Sequence, residues 1–155
     1  RLLQFERSTH AGINISGSQG GRTVGNNVRE LVQRYAANAA GRVQDHPTRK
    51  WLTQFEMNTQ AQQLTQKRAV EELQSRAPGF TSSAVKLSNA LNIQDGDELV
   101  LAAMGAQGLR WGESADKTEL DLVKKWLYQK SLTIAGGTKE VQLNIIAKRV
   151  LGLPD

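Results

Sequence analysis

Apolar residues recur along this chain at three- and four-residue intervals, in blocks separated by clusters of Gly, Pro, Asp and Ser. Val24, Val28, Leu31, Val32, Tyr35, Ala36 and Ala39 fall on one stripe, which predicts an amphipathic helix. A glycine-rich break, "SGSQGGR" at 16–22, precedes it, and "QDHP" at 44–47 ends it. Pro47 suits the first turn of the next helix, where its missing N–H costs nothing. That second segment, about 47–76, carries Trp51, Leu52, Phe55, Leu64, Val70 and Leu73.

"APGFTSS" at 77–83 reads as a turn, with Ser82 or Ser83 as the N-cap of a third segment over about 83–105. Val85, Leu87, Leu91, Leu99 and Leu101 mark its apolar side, and "QDGD" at 94–97 is its weak point. "GAQG" at 105–108 breaks it. Asp116 stands three residues before Glu119, a capping-box spacing, and Leu120, Val123, Trp126 and Leu127 form the stripe that follows. A last helix is predicted over about 138–150, with Val141, Ile145 and Ile146 on its buried side and Gln142 on its surface. With residues 1–15 the chain holds six helical segments, and nothing in it reads as strand. The expectation is an all-α domain over 1–155: an antiparallel four-helix bundle with extra short helices.

Composition narrows the chemistry. The chain has 155 residues, no cysteine and two histidines, His10 and His46, neither at a ligand spacing, so no metal site is expected. No apolar run approaches the roughly 20 residues of a bilayer span. Residues 1–10, "RLLQFERSTH", carry charge too often for a signal peptide. The net charge of +5 suits an anionic partner. Its basic residues are scattered among acidic ones without a recognition motif, which argues against nucleic acid and for a small anion such as a nucleotide or a coenzyme A ester.

The most specific local feature is "GGTKE" at 136–140. Gly136 and Gly137 open the backbone to positive φ, Thr138 is placed to cap, and Glu140 suits the positive end of the helix dipole. Such a turn serves equally as a ligand site at a helix start or as a tight interhelical connection. Residue patterns alone leave both open.

"GGTKEVQLNIIAKRVLGLP" resembles the C-terminal signature of the acyl-CoA dehydrogenase family. "ERSTHAG" at 6–12, "DHPTRKWL" at 45–52 and "MGAQGL" at 104–109 follow in the family's order, so the resemblance covers nearly the whole chain. It implies the C-terminal helical third of a longer enzyme that binds FAD and oxidises an acyl-CoA thioester to the 2-enoyl-CoA. It also implies electron-transfer flavoprotein or a similar acceptor, a dimeric or tetrameric homo- or hetero-oligomer, and a cytoplasmic location, or the mitochondrial matrix if the source is eukaryotic.

Carried over residue by residue, the resemblance is uneven. The best-known branch has a catalytic Glu where this chain has Gly136. A branch resembling isovaleryl-CoA dehydrogenase takes its base from a Glu-Arg pair. Here that pair is Glu6 and Arg7, making Glu6 the candidate base and Arg7 a candidate substrate contact, against the plain alternative of a solvated surface pair. Gly137 matches the position whose backbone lies against substrate, and Thr138, Lys139, Glu140 and Val141 match the stretch that contacts FAD. Arg42 and Gly105 are further candidates for the cofactor. Two flavin motifs depart from the pattern: Ala102 and Ala106 replace a glutamine and a glycine, and "RVQDHP" at 42–47 stands where Arg-x-x-Phe-Gly is usual. Those losses fit either a divergent homomeric enzyme or a subunit that works beside an unlike partner.

Overall fold

The computed structural model describes residues 27–75, 81–113 and 115–154. Among them are five α-helices: α1 (Val28–Ala36), α2 (His46–Gln74), α3 (Thr81–Met104), α4 (Lys117–Gln129) and α5 (Lys139–Ile145). No strand occurs among the described residues; Ala37 and Val43 form an isolated bridge. The all-α expectation holds. The helix expected within residues 1–15 lies outside the described residues, as does Val24.

Asn38 ends α1 three residues earlier than the apolar stripe suggests. Its Oδ1 accepts from the backbone N–H of Ala40 and of Arg42, each at 3.0 Å. That folds the chain back, with Gly41 at φ +71°. An Asx-type turn offers the backbone an alternative to another helical turn, and here it prevails. Asp45 then opens α2: its Oδ2 accepts from the Thr48 amide at 2.9 Å, with Pro47 in the first turn as expected.

Two compact units share the long helices. One comprises Val24–Thr59 and Asn92–Lys130. Its core is Val28, Leu31 and Val32 of α1, Val43 of the loop that follows, Leu52 and Phe55 of α2, and Leu99, Val100 and Met104 of α3. Full burial of such side chains is worth about 1.5–3 kcal/mol each. The exposed Arg29–Glu56 pair at 2.6 Å belongs to a class worth about 0–1 kcal/mol. Apolar packing therefore holds this unit.

The "QDGD" stretch, expected to weaken α3, lies within an unbroken helix. Each of its residues is occupied, and so is Glu98. Gln94 donates to the Gln129 carbonyl at 3.0 Å, Asp95 accepts from the Trp51 indole at 2.8 Å, and Asp97 receives Lys125 at 2.7 Å. Glu98 pairs with Lys130, whose ammonium stands 5.0 Å from the Trp126 ring centroid. A Cβ on Gly96 would stand 2.7 Å from the Phe55 ring, so the glycine is there for close packing.

The other unit comprises Gln60–Leu91 and the chain from Ser131 onward, together with residues outside those described. Its apolar cluster is small: Ala69 and Val85, with Val70 against them. Polar contacts fill in. Buried Gln62 donates to the Val85 carbonyl at 3.2 Å and accepts from the Ser88 hydroxyl. At the start of α3, Thr81 donates its hydroxyl to Glu72 Oε1 at 2.5 Å and its amide to Oε2 at 3.3 Å. Thr81 is already helical, so Ser82 and Ser83 lie inside the first turn rather than at the N-cap. Leu64, Leu73 and Leu91, placed by periodicity on the apolar stripes, are exposed.

Cross-helix pairs within each unit set the direction of α2 against α3. Trp51 meets Asp95 and Thr59 meets Asn92 in one unit; Gln62 meets Val85 and Glu72 meets Thr81 in the other. As one index rises the other falls, so the two helices run antiparallel. After α3 a 3₁₀ turn (Gly105–Leu109) leads toward α4, which Asp116 caps through Thr118 and Glu119 amides at 2.8 and 3.2 Å. No described helix is long and apolar enough to cross a membrane, and no described group of His, Asp or Glu forms a metal cluster.

Candidate functional site at the terminal glycine turn

A 3₁₀ turn over Lys130–Thr133 brings the chain into the glycine pair. Gly136 adopts φ +69° and Gly137 φ +106°, two successive residues in the region that L side chains rarely enter. Gly137 donates its amide to the Ile134 carbonyl at 3.2 Å, closing the turn. Thr138 follows as N-cap with extended backbone, and its Oγ1 accepts from the Val141 amide at 3.4 Å. The expected cap is present.

Two side chains hold the carbonyls of this turn. Gln142, one turn into α5, donates Nε2 to the Gly136 carbonyl at 2.9 Å. Lys86, from α3, donates Nζ to the Gly137 carbonyl at 2.5 Å. Gln142 is wholly buried and Lys86 is 3% exposed. A Cβ on Gly137 would lie 2.7 Å from Gln142 Nε2 and 3.4 Å from Val141 Cγ1. The space on that side of Gly137 is filled by the chain itself.

This corrects the expected orientation of α5. Gln142, expected on the surface, is its buried residue, while Val141 is exposed and Ile145 and Ile146 are half-buried. The reason is the turn: two carbonyls directed inward need a polar donor beneath them, and an apolar residue there would leave one unsatisfied. The helix also gives way to a π turn at Ile146–Val150, ended by Gly152 at φ +63°.

Lys139, Glu140 and Val141 are exposed along the first turn of α5 and Thr138 is half-buried, so four of the residues matched to the cofactor stretch stand together with Gly137. The amide at Glu140 itself, then the Thr138 hydroxyl, hold the Glu140 carboxyl below its usual range. Arg42 is exposed in the loop after α1. Gly105, also exposed, starts the 3₁₀ turn at φ +57°, with open space where a Cβ would point. Arg42 and Gly105 belong to the first unit described above, and 137–141 to the second. Glu6 and Arg7 lie outside the described residues.

Over residues 1–151 the chain matches the family model for the acyl-CoA dehydrogenase C-terminal domain. The chain belongs to the acyl-CoA dehydrogenase family. Acyl-CoA dehydrogenase IpdE1 of Mycobacterium tuberculosis is 33% identical over 129 residues, which are 83% of this chain and 31% of that protein. Acyl-CoA dehydrogenase IpdE1 of Mycolicibacterium smegmatis is 45% identical over 58 residues, 37% of this chain and 14% of that protein. The chain thus spans about a third of the length of the first of these curated relatives. No solved structure matches it.

Sequence reasoning found Gly136, Gly137 and Thr138 but missed Lys86 and Gln142. The pattern within the last helix places Gln142 on the surface, and Lys86 is not singled out. Lys86 had one readable signal, its row with Ser83, Asn89 and Ala90, all buried small or polar residues at helical spacing. The residues present are compatible with FAD: the exposed, capped helix start offers donors in its backbone amides and Lys139, and the buried Gln142 Oε1, with no partner among the described residues, offers an acceptor.

Proposed function

We propose that this chain is the C-terminal helical domain, about the last third, of an FAD-dependent acyl-CoA dehydrogenase. It converts an acyl-CoA thioester to the 2-enoyl-CoA and passes the electrons to electron-transfer flavoprotein or a similar acceptor. The observation that carries this reading is the terminal turn. A family-specific segment adopts two positive-φ glycines and a capped, exposed helix start, with its carbonyls drawn inward by Gln142 and Lys86. Thr138, Lys139, Glu140 and Val141 would hold the cofactor, and the backbone at Gly137 the thioester. FAD supplies the hydride-accepting step when bound.

Glu6 is the proposed base. An α-proton of a thioester is far too weakly acidic for a carboxylate unless the carbonyl is polarised, so backbone donors at the turn and the carboxylate must act together. Gly136 lacks the side chain that serves as base in the best-known branch, and its φ of +69° disfavours one. The role is therefore proposed for Glu6, with Arg7, next to it in sequence, as the proposed substrate contact. Arg42 and Gly105 are the remaining proposed cofactor contacts. We place the enzyme in the cytoplasm of a bacterium, acting as a homo- or hetero-oligomer.

Gly136 and the replacements at Ala102 and Ala106 also favour a second reading, a non-catalytic subunit of a hetero-oligomeric acyl-CoA dehydrogenase. Two preparations separate the readings. The complete polypeptide, purified alone, should carry yellow flavin absorbance that bleaches anaerobically with an acyl-CoA from a panel of chain lengths. Bleaching restored only by a co-expressed unlike subunit selects the second reading, and no bleaching in either preparation removes both.

A further inference from the structure

A lysine side chain that is 97% removed from solvent is expensive unless its ammonium is bound, and lysines are rarely buried in this way. Lys86 is such a residue, and its ammonium sits on the carbonyl of Gly137, 51 residues away in sequence. The peptide group between Gly137 and Thr138 is trans and planar, so its N–H points opposite its carbonyl. Holding the carbonyl therefore fixes the direction of the Thr138 amide, which opens the helix.

Without a hold, the plane is soft. Gly137 at φ +106° has no Cβ to restrict it, and glycine crosses between backbone regions more readily than any other residue. Gln142 restrains the preceding plane through the Gly136 carbonyl at 2.9 Å, but does not reach the next one by that bond. Lys86 supplies the second restraint, from a different helix, and so ties the turn to α3.

We propose that Lys86 is a positioning residue for the reaction: by fixing the Gly137–Thr138 peptide plane it holds the backbone that faces thioester and cofactor. The inference rests on the acyl-CoA dehydrogenase reading for its effect on turnover, though not for its effect on the turn. Displacement of a reacting group by about 1 Å costs up to about 10²-fold in rate, so loss of this restraint should appear in kcat.

Lys86→Met keeps length and apolar stem while removing the donor, and Lys86→Gln is the second variant should Met fail to fold. Two readouts are taken on the complete flavin-loaded polypeptide. Amide hydrogen exchange over residues 134–141 should quicken at least tenfold in the variant, with exchange in α3 unchanged. Under the same conditions kcat should fall tenfold or more, with the unfolding temperature lowered by a few degrees at most, since the variant leaves the Gly137 carbonyl without its donor. Unchanged exchange at the turn overturns the proposal whatever the enzyme does. Faster exchange with normal kcat overturns it too, by reducing Lys86 to a structural tie. A wild-type protein that no acyl-CoA bleaches defeats the functional reading instead, and the exchange arm still decides whether Lys86 holds the turn.

Discussion

Gly96 faces the ring of Phe55 so closely that an added Cβ would lie 2.7 Å from Cε2 and 2.9 Å from Cζ, with Val28 Cγ2 at 3.2 Å. Two effects oppose each other in Gly96→Ala. Helix propensity favours alanine by about 1 kcal/mol. Overpacking of a filled core costs about 1–3 kcal/mol. Because Phe55 is 2% exposed and its ring is enclosed, packing should prevail, and urea unfolding should find the variant less stable by about 1 kcal/mol. Gly96→Ala made in a Phe55→Leu background should be neutral or stabilising, since the close contact is gone.

Gly137 presents the same geometry with a stricter backbone. At φ +106° a side chain is strained whatever the room, and the room is taken by Gln142. Gly137→Ala should cost about 1–3 kcal/mol on the scale of strained φ. Gln142→Ala should relieve the clash in the double variant but leave the strain. A double-mutant cycle that came out fully additive would mean that the two residues do not share the space described.

Three carboxylates beside helix starts are held below their ordinary pKa, and each adds to the acid sensitivity of the fold. The Thr81 hydroxyl holds the Glu72 carboxyl below its ordinary value, Thr48 does so for Asp45, and the amide at Glu140 does so for Glu140. A depressed folded-state pKa contributes stability that is fully present above the unfolded-state value. That contribution is lost as pH falls through the folded-state value. Thermal unfolding should therefore be flat from neutrality down to about pH 5 and decline below about pH 4, the ordinary carboxylate range. Glu72→Gln should make the decline shallower; an identical slope would show that Glu72 does not titrate against Thr81.

Asp116→Ala removes the acceptor for the Thr118 and Glu119 amides at the start of α4. The loss should be about 1 kcal/mol, with Asp116→Asn close to wild type, as measured by chemical denaturation.

Much of this was readable in the chain. Val28, Leu31 and Val32 at helical spacing, Pro47 in the first turn of α2, and the caps at Asp116 and Thr138 are local features, fixed by residues a turn apart. What escaped is non-local. Gln94 to Asp97 look like a helix breaker until Trp51, Phe55, Lys125 and the Gln129 carbonyl are brought against them. Gln142 reads as surface because no pattern within α5 says that the preceding turn will aim a carbonyl at it. Nothing local to α3 marks out Lys86, its partner being 51 residues distant. Glu6, the residue on which the proposed proton transfer depends, came from resemblance alone and lies outside the described residues.

The claim that the terminal glycine turn belongs to a working acyl-CoA oxidation site is tested most directly by product mass. The complete polypeptide, with any unlike subunit it requires, is mixed anaerobically with an acyl-CoA that bleaches its flavin, and the coenzyme A esters are weighed after a single turnover. The account predicts a product lighter by two hydrogens, formed at least about 10²-fold more slowly with Glu6→Gln, as loss of a general base commonly requires. Recovery of the acyl-CoA with its mass unchanged would contradict it.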